Sequence, residues 1–210
     1  MASVHTALTL TLKEGCEAGY HAWLAHDAPK LVPIFNRTGI RQKVVLMAGK
    51  YVIAYYDADR PGAVEAAFAD PVAAAMMGGS LGQLLDFSAG MGTFTSELCW
   101  ESPVDYKPRH VALILNIRKG QEGPYLNWVH HEATRQFDAV WRRFKLARKE
   151  VLVAGSQAMA FYRCKDSASV LATFGEPESV EAMSTNLGPL LDLDPNQPMA
   201  VYEQVFEWRA

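Results

Sequence analysis

Polar and apolar residues alternate over residues 6–12, so the chain opens on a half-buried strand. Gly15 marks a turn. Over residues 17–30 the period changes: Tyr20, Trp23, Leu24 and Asp27 fall on one helical stripe. Pro29 and Pro33 make the far end of that helix irregular. Two apolar runs, 40–47 and 51–56, flank the turn Ala48-Gly49-Lys50 and predict a hairpin. Pro61 stands where a helix can start, helical pieces follow at 64–68 and roughly 72–87, and 92–100 reads as a closing strand.

The pattern then returns. A strand at 110–117 precedes a helix with Pro124 in its first turn. A hairpin at 146–153 and 157–164 turns at Ala154-Gly155-Ser156. Helical pieces at about 168–174 and 180–191 lead to a last strand at 199–208. Identities return as well. His5, Ala7, Leu8, Gly15, Glu17, Tyr20, Trp23 and His26 reappear 105 residues later as His110, Ala112, Leu113, Gly120, Glu122, Tyr125, Trp128 and His131. After one inserted residue, Lys43, Gly49, Tyr56, Met77, Leu81, Gly82 and Asp86 match Lys149, Gly155, Tyr162, Met183, Leu187, Gly188 and Asp192. A constant offset with one slip reads as a tandem duplication. It divides the chain into a first repeat (1–101), a linker (102–108, with two prolines) and a second repeat (109–210).

Each repeat has the order βαββαβ, the split βαβ of ferredoxin-like folds. Such a sheet carries helices on one face and leaves the other bare. Two of them can cover each other. The predicted fold class is therefore α+β, with two tandem ferredoxin-like repeats forming a pseudo-dimeric α+β barrel within one polypeptide. A higher oligomer remains compatible with this.

Composition narrows the picture. Half of the 210 residues are hydrophobic, enough for a core in each repeat, and the net charge of −3 offers no general attraction to nucleic acid or anionic membranes. No apolar run reaches the roughly 20 residues of a spanning helix, and no signal peptide is read at the start. Cys16, Cys99 and Cys164 cannot all pair and form no CxxC spacing, which suits a reducing, cytoplasmic setting.

Several residues carry candidate chemistry. His26 and Asp27 at the end of the first helix suit removal of a proton from a phenol, or from a carbon between two ketones; equally, His26 and His131 suit a helix C-terminus. Lys43 and Lys149 stand on the second strand of each repeat, with Arg41 expected on the face of Lys43. Facing inwards they would stabilise an oxyanion; facing outwards they would be edge-strand charges. Trp23, Tyr51, Tyr55, Trp100, Trp128 and His131 are candidates for holding a flat aromatic ligand, with Trp23 and Trp128 as pocket walls. The basic run Arg142-Arg143-Phe144-Lys145 reads as a solvated helix face. No metal-ligand spacing, phosphate loop or dinucleotide fingerprint is read, so neither metal nor cofactor is expected; haem, which needs only one histidine, stays open.

The first repeat resembles the tetracenomycin-type polyketide cyclases of the dimeric α+β barrel superfamily, and its layout is similar to SchA/CurD-like proteins. The resemblance is carried by Ala25-His26-Asp27, by the run from Gly39 to Val45, by Asp57-Ala58-Asp59, by the run from Ala67 to Pro71, and by the run from Leu81 to Leu85. It implies a cofactor-independent aldol-type cyclase or aromatase acting on an aromatic polyketide in the barrel cavity. His26 or Asp27 would be the base, and Lys43 or Arg41 the oxyanion partner. The family's strand-three histidine falls on Ala54 and Ala160, and the second repeat has His131-Glu132. The first repeat is accordingly expected to carry the main activity. The alternatives are a cofactor-free monooxygenase that forms a quinone, and a non-catalytic polyketide-binding protein. A haem protein is a third, remoter reading.

Overall fold

The computed structural model describes residues 3–193 and 199–210. In chain order the elements are β1 (Val4–Thr11), α1 (Glu17–His26), α2 (Val32–Thr38), β2 (Ile40–Ala48), β3 (Tyr51–Ala58), α3 (Ala63–Phe68), α4 (Pro71–Met76), β4 (Gly92–Glu101), β5 (Arg109–Asn116), α5 (Glu122–His131), α6 (Ala133–Arg143), β6 (Arg148–Ala154), β7 (Gln157–Cys164), α7 (Ser167–Phe174), α8 (Pro177–Ala182) and β8 (Val201–Arg209). Hydrogen-bonded strands follow the order β1-β3-β2-β8-β5-β7-β6-β4 and close on themselves, which is the α+β barrel class expected from the pattern. Contacts group the chain into two compact units, Met1–Thr93 with Gln204–Ala210, and Phe94–Glu203. These boundaries fall inside β4 and β8, whereas the repeat divides the sequence at 102–108.

In the first unit, β3 pairs antiparallel with β1 (Leu8↔Ala54) and with β2 (Val45↔Ala54). Leu10, Leu12, Val45, Met47, Ala54 and Tyr56 project from the sheet onto Tyr20, Trp23 and Leu24 of α1 and Ile34 and Phe35 of α2. The register of β2 slips between Ile40 and Gln42. The slip places Arg41 at a bulge, turned out to solvent, where it pairs with Asp59. Arg41 therefore does not share a face with the buried Lys43, contrary to the alternation expected from their spacing.

The helix expected over 17–30 is shorter. It stops at His26, with Asp27 as its C-cap, and passes through a 3₁₀ turn (Ala28–Leu31) into α2. Pro29 and Pro33 each lie in the first turn of a new helical piece, where a missing N–H costs nothing, so they start helices rather than merely fraying one. The helix expected over 72–87 ends at Met76 and runs on through a wide π-type turn (Met77–Leu81).

The second unit follows the same plan. β7 pairs with β5 (Leu113↔Ala160) and β6 (Val151↔Ala160), and β4 pairs with β6 (Trp100↔Lys149). α6 was not legible as an element of its own from the basic run at its end, yet Ala133, Phe137, Val140 and Trp141 form its buried stripe. A matching π-type turn (Met183–Leu187) follows α8. Gly82 and Gly188 close these turns so tightly that a Cβ would stand 2.4 Å from the Met77 carbonyl oxygen and 2.5 Å from that of Met183. No helix among the described residues is long and apolar enough to cross a membrane.

Candidate functional site

Alternate residues of β6 and β7 in the second unit face the helices. Val151 from β6 and Ala158, Ala160 and Tyr162 from β7 make an apolar floor. Lys149 is the exception on that stripe. Over it lie Tyr125 and Trp128 of α5 and Ala133, Phe137 and Trp141 of α6. With Ser179 of α8 and Met183 and Leu187 of the π-type turn, they enclose a cavity. The rings form a continuous wall: Trp128 meets Phe137 edge-on at 6.0 Å, and Phe137 stacks on Trp141 at 5.8 Å. The walls leave about 630 Å³ free, mouth included, but the centre of a water molecule can reach only about 50 Å³ of it. A thin, flat ligand suits such a cleft better than a globular one.

This cavity lies between the helices and the outer face of the sheet, not inside the barrel as the resemblance implied. Among the described residues, no acid, histidine or cysteine lines it, and Lys149 is its only basic group. The Lys149 ammonium stands 4.0 Å from the centre of the Tyr162 ring. Burial without a counter-ion draws its pKa down to about 7, partly offset by Glu150. Glu150 itself is fully buried on the opposite side of the strand and accepts from Arg148 at 2.7 Å. Burial pushes the Tyr125 and Tyr162 phenols up, so both keep their protons. The Trp128 Nε1–H and the Ser179 hydroxyl are buried on the cavity wall without a hydrogen-bond partner. Unpaired donors in an apolar pocket are costly unless a ligand supplies an acceptor.

The first unit treats the equivalent lysine differently. Lys43 lies 5.6 Å from the Trp23 ring, 5.5 Å from Phe35 and 5.7 Å from Tyr56, caged by three aromatic faces. Burial lowers its pKa to about 8. Here the indole N–H is satisfied: Trp23 Nε1 donates to Ser80 Oγ at 3.1 Å. At the position matching Ser80 the second repeat carries Asn186, whose amide reaches Gln136 at 3.4 Å.

The structure thus brings few of the sequence candidates together. Both lysines are buried beneath the helices, and Trp128 lines the cavity with Lys149. His26 is exposed at the end of α1. Asp27 pairs with Lys30 at 2.6 Å on the rim of an open surface cleft. His131 is exposed at the end of α5, and Tyr51 is exposed at the start of β3. Tyr55 is buried on the face of β3 opposite the helices, against His5. Trp100 is buried beside Trp141, with its indole N–H given to Asp138 at 2.7 Å. Phe137, Trp141 and Ser179, not singled out in the sequence, belong to the cavity. The apolar i, i+4, i+8 spacing of Ala133, Phe137 and Trp141 was the signal for the first two; Ser179 gave none.

No family model matches the chain, and no curated protein matches it. Solved structures do, in fold. A Fusobacterium nucleatum protein named "Putative monooxygenase" superposes with a TM-score of 0.62 at 8% identity, over 96% of this chain and 91% of that one. An anthrone oxidase-like protein gives 0.59 at 11% identity, over 98% and 93%. A chlorite dismutase from Candidatus Nitrospira defluvii gives 0.56 at 10% identity, over 96% and 90%. The three differ in chemistry, so the shared scaffold does not choose between reactions; the site must.

Proposed function

We propose that the chain is a cofactor-independent oxygenase of a phenolic or readily enolised aromatic polyketide, with the cavity of the second unit as its site. The observation that carries this is a lone buried amine, without a carboxylate partner, on the wall of an otherwise apolar cleft. Near neutral pH a large share of Lys149 is the free base. It takes a proton from a phenol or from a methylene between aromatic rings, and the ammonium so formed holds the resulting anion beside it. The carbanion reduces dioxygen and bonds to it as a hydroperoxide, which loses water to leave a carbonyl. One CH2 and one O2 give one C=O and one H2O. The unpaired Trp128 N–H and Ser179 hydroxyl are placed to meet ligand oxygens. The anthrone oxidase-like and monooxygenase-named neighbours support this reading.

The aldol-type closure implied by the resemblance begins with the same anion and ends in loss of water without oxygen. Its expected base, His26-Asp27, is not on the cavity, and the monooxygenase-named and anthrone oxidase-like neighbours favour oxygenation of that anion. Mass spectrometry of an anthrone probe and of a 1,3,5-triketone that can close to a phenol, each incubated in air and under nitrogen, separates the readings. A gain of about 14 mass units only in air is the expected result. A loss of about 18 units in both atmospheres would assign a cyclase, and tight binding without a mass change a binding protein.

A further inference from the structure

Lys149 has a second chemistry available to it, one that rests on the same cavity being a ligand site but not on the reaction proposed there. An amine is a nucleophile when it is unprotonated, desolvated and free of a carboxylate that would hold it as an ammonium ion. The cavity meets all three conditions. Its lining offers no acid, Glu150 is committed to Arg148 on the other side of β6, and the walls are aromatic and aliphatic. The near-neutral pKa of Lys149 follows from that burial. Tyr162, whose ring is the nearest neighbour of the amine, keeps its phenolic proton, as does Tyr125. Each is a weak acid on the wall where a departing oxygen would need one.

We propose that Lys149 captures the carbonyl carbon of an apolar ketone or 1,3-diketone as a covalent imine or enaminone. The nitrogen bonds to the carbonyl carbon, and the oxygen leaves as water, taking up two protons. One comes from the amine nitrogen. The other also comes from nitrogen in an imine, or from the central carbon of a 1,3-diketone as the enaminone forms. No oxidant or reductant is consumed. A 1,3-diketone suits the site best, because its enaminone is conjugated and planar, and the cleft is narrow. Lys43 is the internal contrast: it is buried too, but held beneath three rings.

The test uses the full chain and acetylacetone. The expected result is a new near-ultraviolet enaminone band and a peptide heavier by the diketone less one water. Modification should map to Lys149 at a rate roughly tenfold or more above any other lysine, Lys43 included. Lys149→Arg keeps a cation but no nucleophile, and should lose the band. An adduct spread evenly over the lysines, or one that persists in K149R, overturns the proposal. 1-Naphthol, which has no carbonyl, reads the cavity separately. Saturable quenching of tryptophan fluorescence by naphthol without a diketone adduct overturns the imine and leaves the ligand site standing. Absence of both overturns both.

Discussion

Lys149 is where burial and charge conflict most sharply, and its titration has consequences for stability. Its folded pKa of about 7 lies below the 10.5 of an ordinary solvated lysine, so between those pH values the folded chain binds fewer protons than the unfolded one. Stability from this group therefore rises with pH across that window, and the full penalty stands below about pH 7. Lys149→Met should be more stable than the parent at pH 7 by about 1–4 kcal/mol, with a shallower rise in melting temperature between pH 7 and 9. An unchanged difference across that range would mean that the amine is solvated. A smaller conflict is local. Lys145 follows α6 with φ 51°, a left-handed conformation that the first repeat gives to Gly39, at φ 89°. Lys145→Gly relieves that strain at the cost of backbone entropy. It is expected to stabilise by a few tenths to about 1 kcal/mol in thermal or urea unfolding. At this scale the sequence was partly readable. The recurrence of Lys43 and Lys149 marked them, but not the side they face, because neighbouring β2 positions are buried on both faces and a bulge re-aims Arg41.

Among the elements, the π-type turns shape the site most directly. The turn after α8 delivers Met183 and Leu187 to the cavity, and Gly188 locks it by close approach to the Met183 carbonyl. Gly188→Ala should cost about 1–3 kcal/mol and weaken ligand binding in the second unit. The same substitution at Gly82 should cost a similar amount while leaving that binding intact. Comparing melting temperatures and ligand titrations of the two variants checks this. The recurrence of these glycines was visible in the sequence; their reason was not, since a wide helical turn leaves no signature beyond the glycine itself. Strands and hairpins were the most legible elements, because period-two patterning and the turns at Gly49 and Gly155 fix them locally. α2 and α6 were the least legible. In the first repeat two prolines pointed to an irregular helix end, not to a new helix, and in the second the basic residues Arg142 and Arg143 interrupt the apolar pattern just past the stripe of Phe137 and Trp141.

For the whole molecule, the repeat predicted the α+β class and the βαββαβ succession of strands in each half. It did not predict that the C-terminal residues Gln204–Ala210 would belong to the first compact unit. There Gln42 donates to Glu207 at 2.7 Å, and Trp208 packs on Phe35 at 5.6 Å. Truncation after Glu203 should therefore destabilise the first unit by about 2–5 kcal/mol, since the partly buried Trp208 and its strand are both lost. The check is a lower-temperature unfolding transition, or loss of soluble protein. The site was harder to read than the fold. A resemblance centred on the first repeat pointed to His26-Asp27, whereas the cavity around Lys149 is built, apart from Leu98, from second-repeat residues that the repeat pattern alone does not distinguish.

The proposed oxygenation depends on Lys149 and its cavity, not on His26 and Asp27. The most direct measurement is turnover of an anthrone or hydroxynaphthalene probe in air by the parent chain, by Lys149→Met and by the double variant His26→Ala/Asp27→Asn, across pH 6 to 9. The expected result is a parent rate that rises through about pH 7, a loss of roughly 10²-fold or more in K149M, and near-parental rates in the double variant. Full activity in K149M together with loss in the double variant would contradict it and return the site to the end of α1.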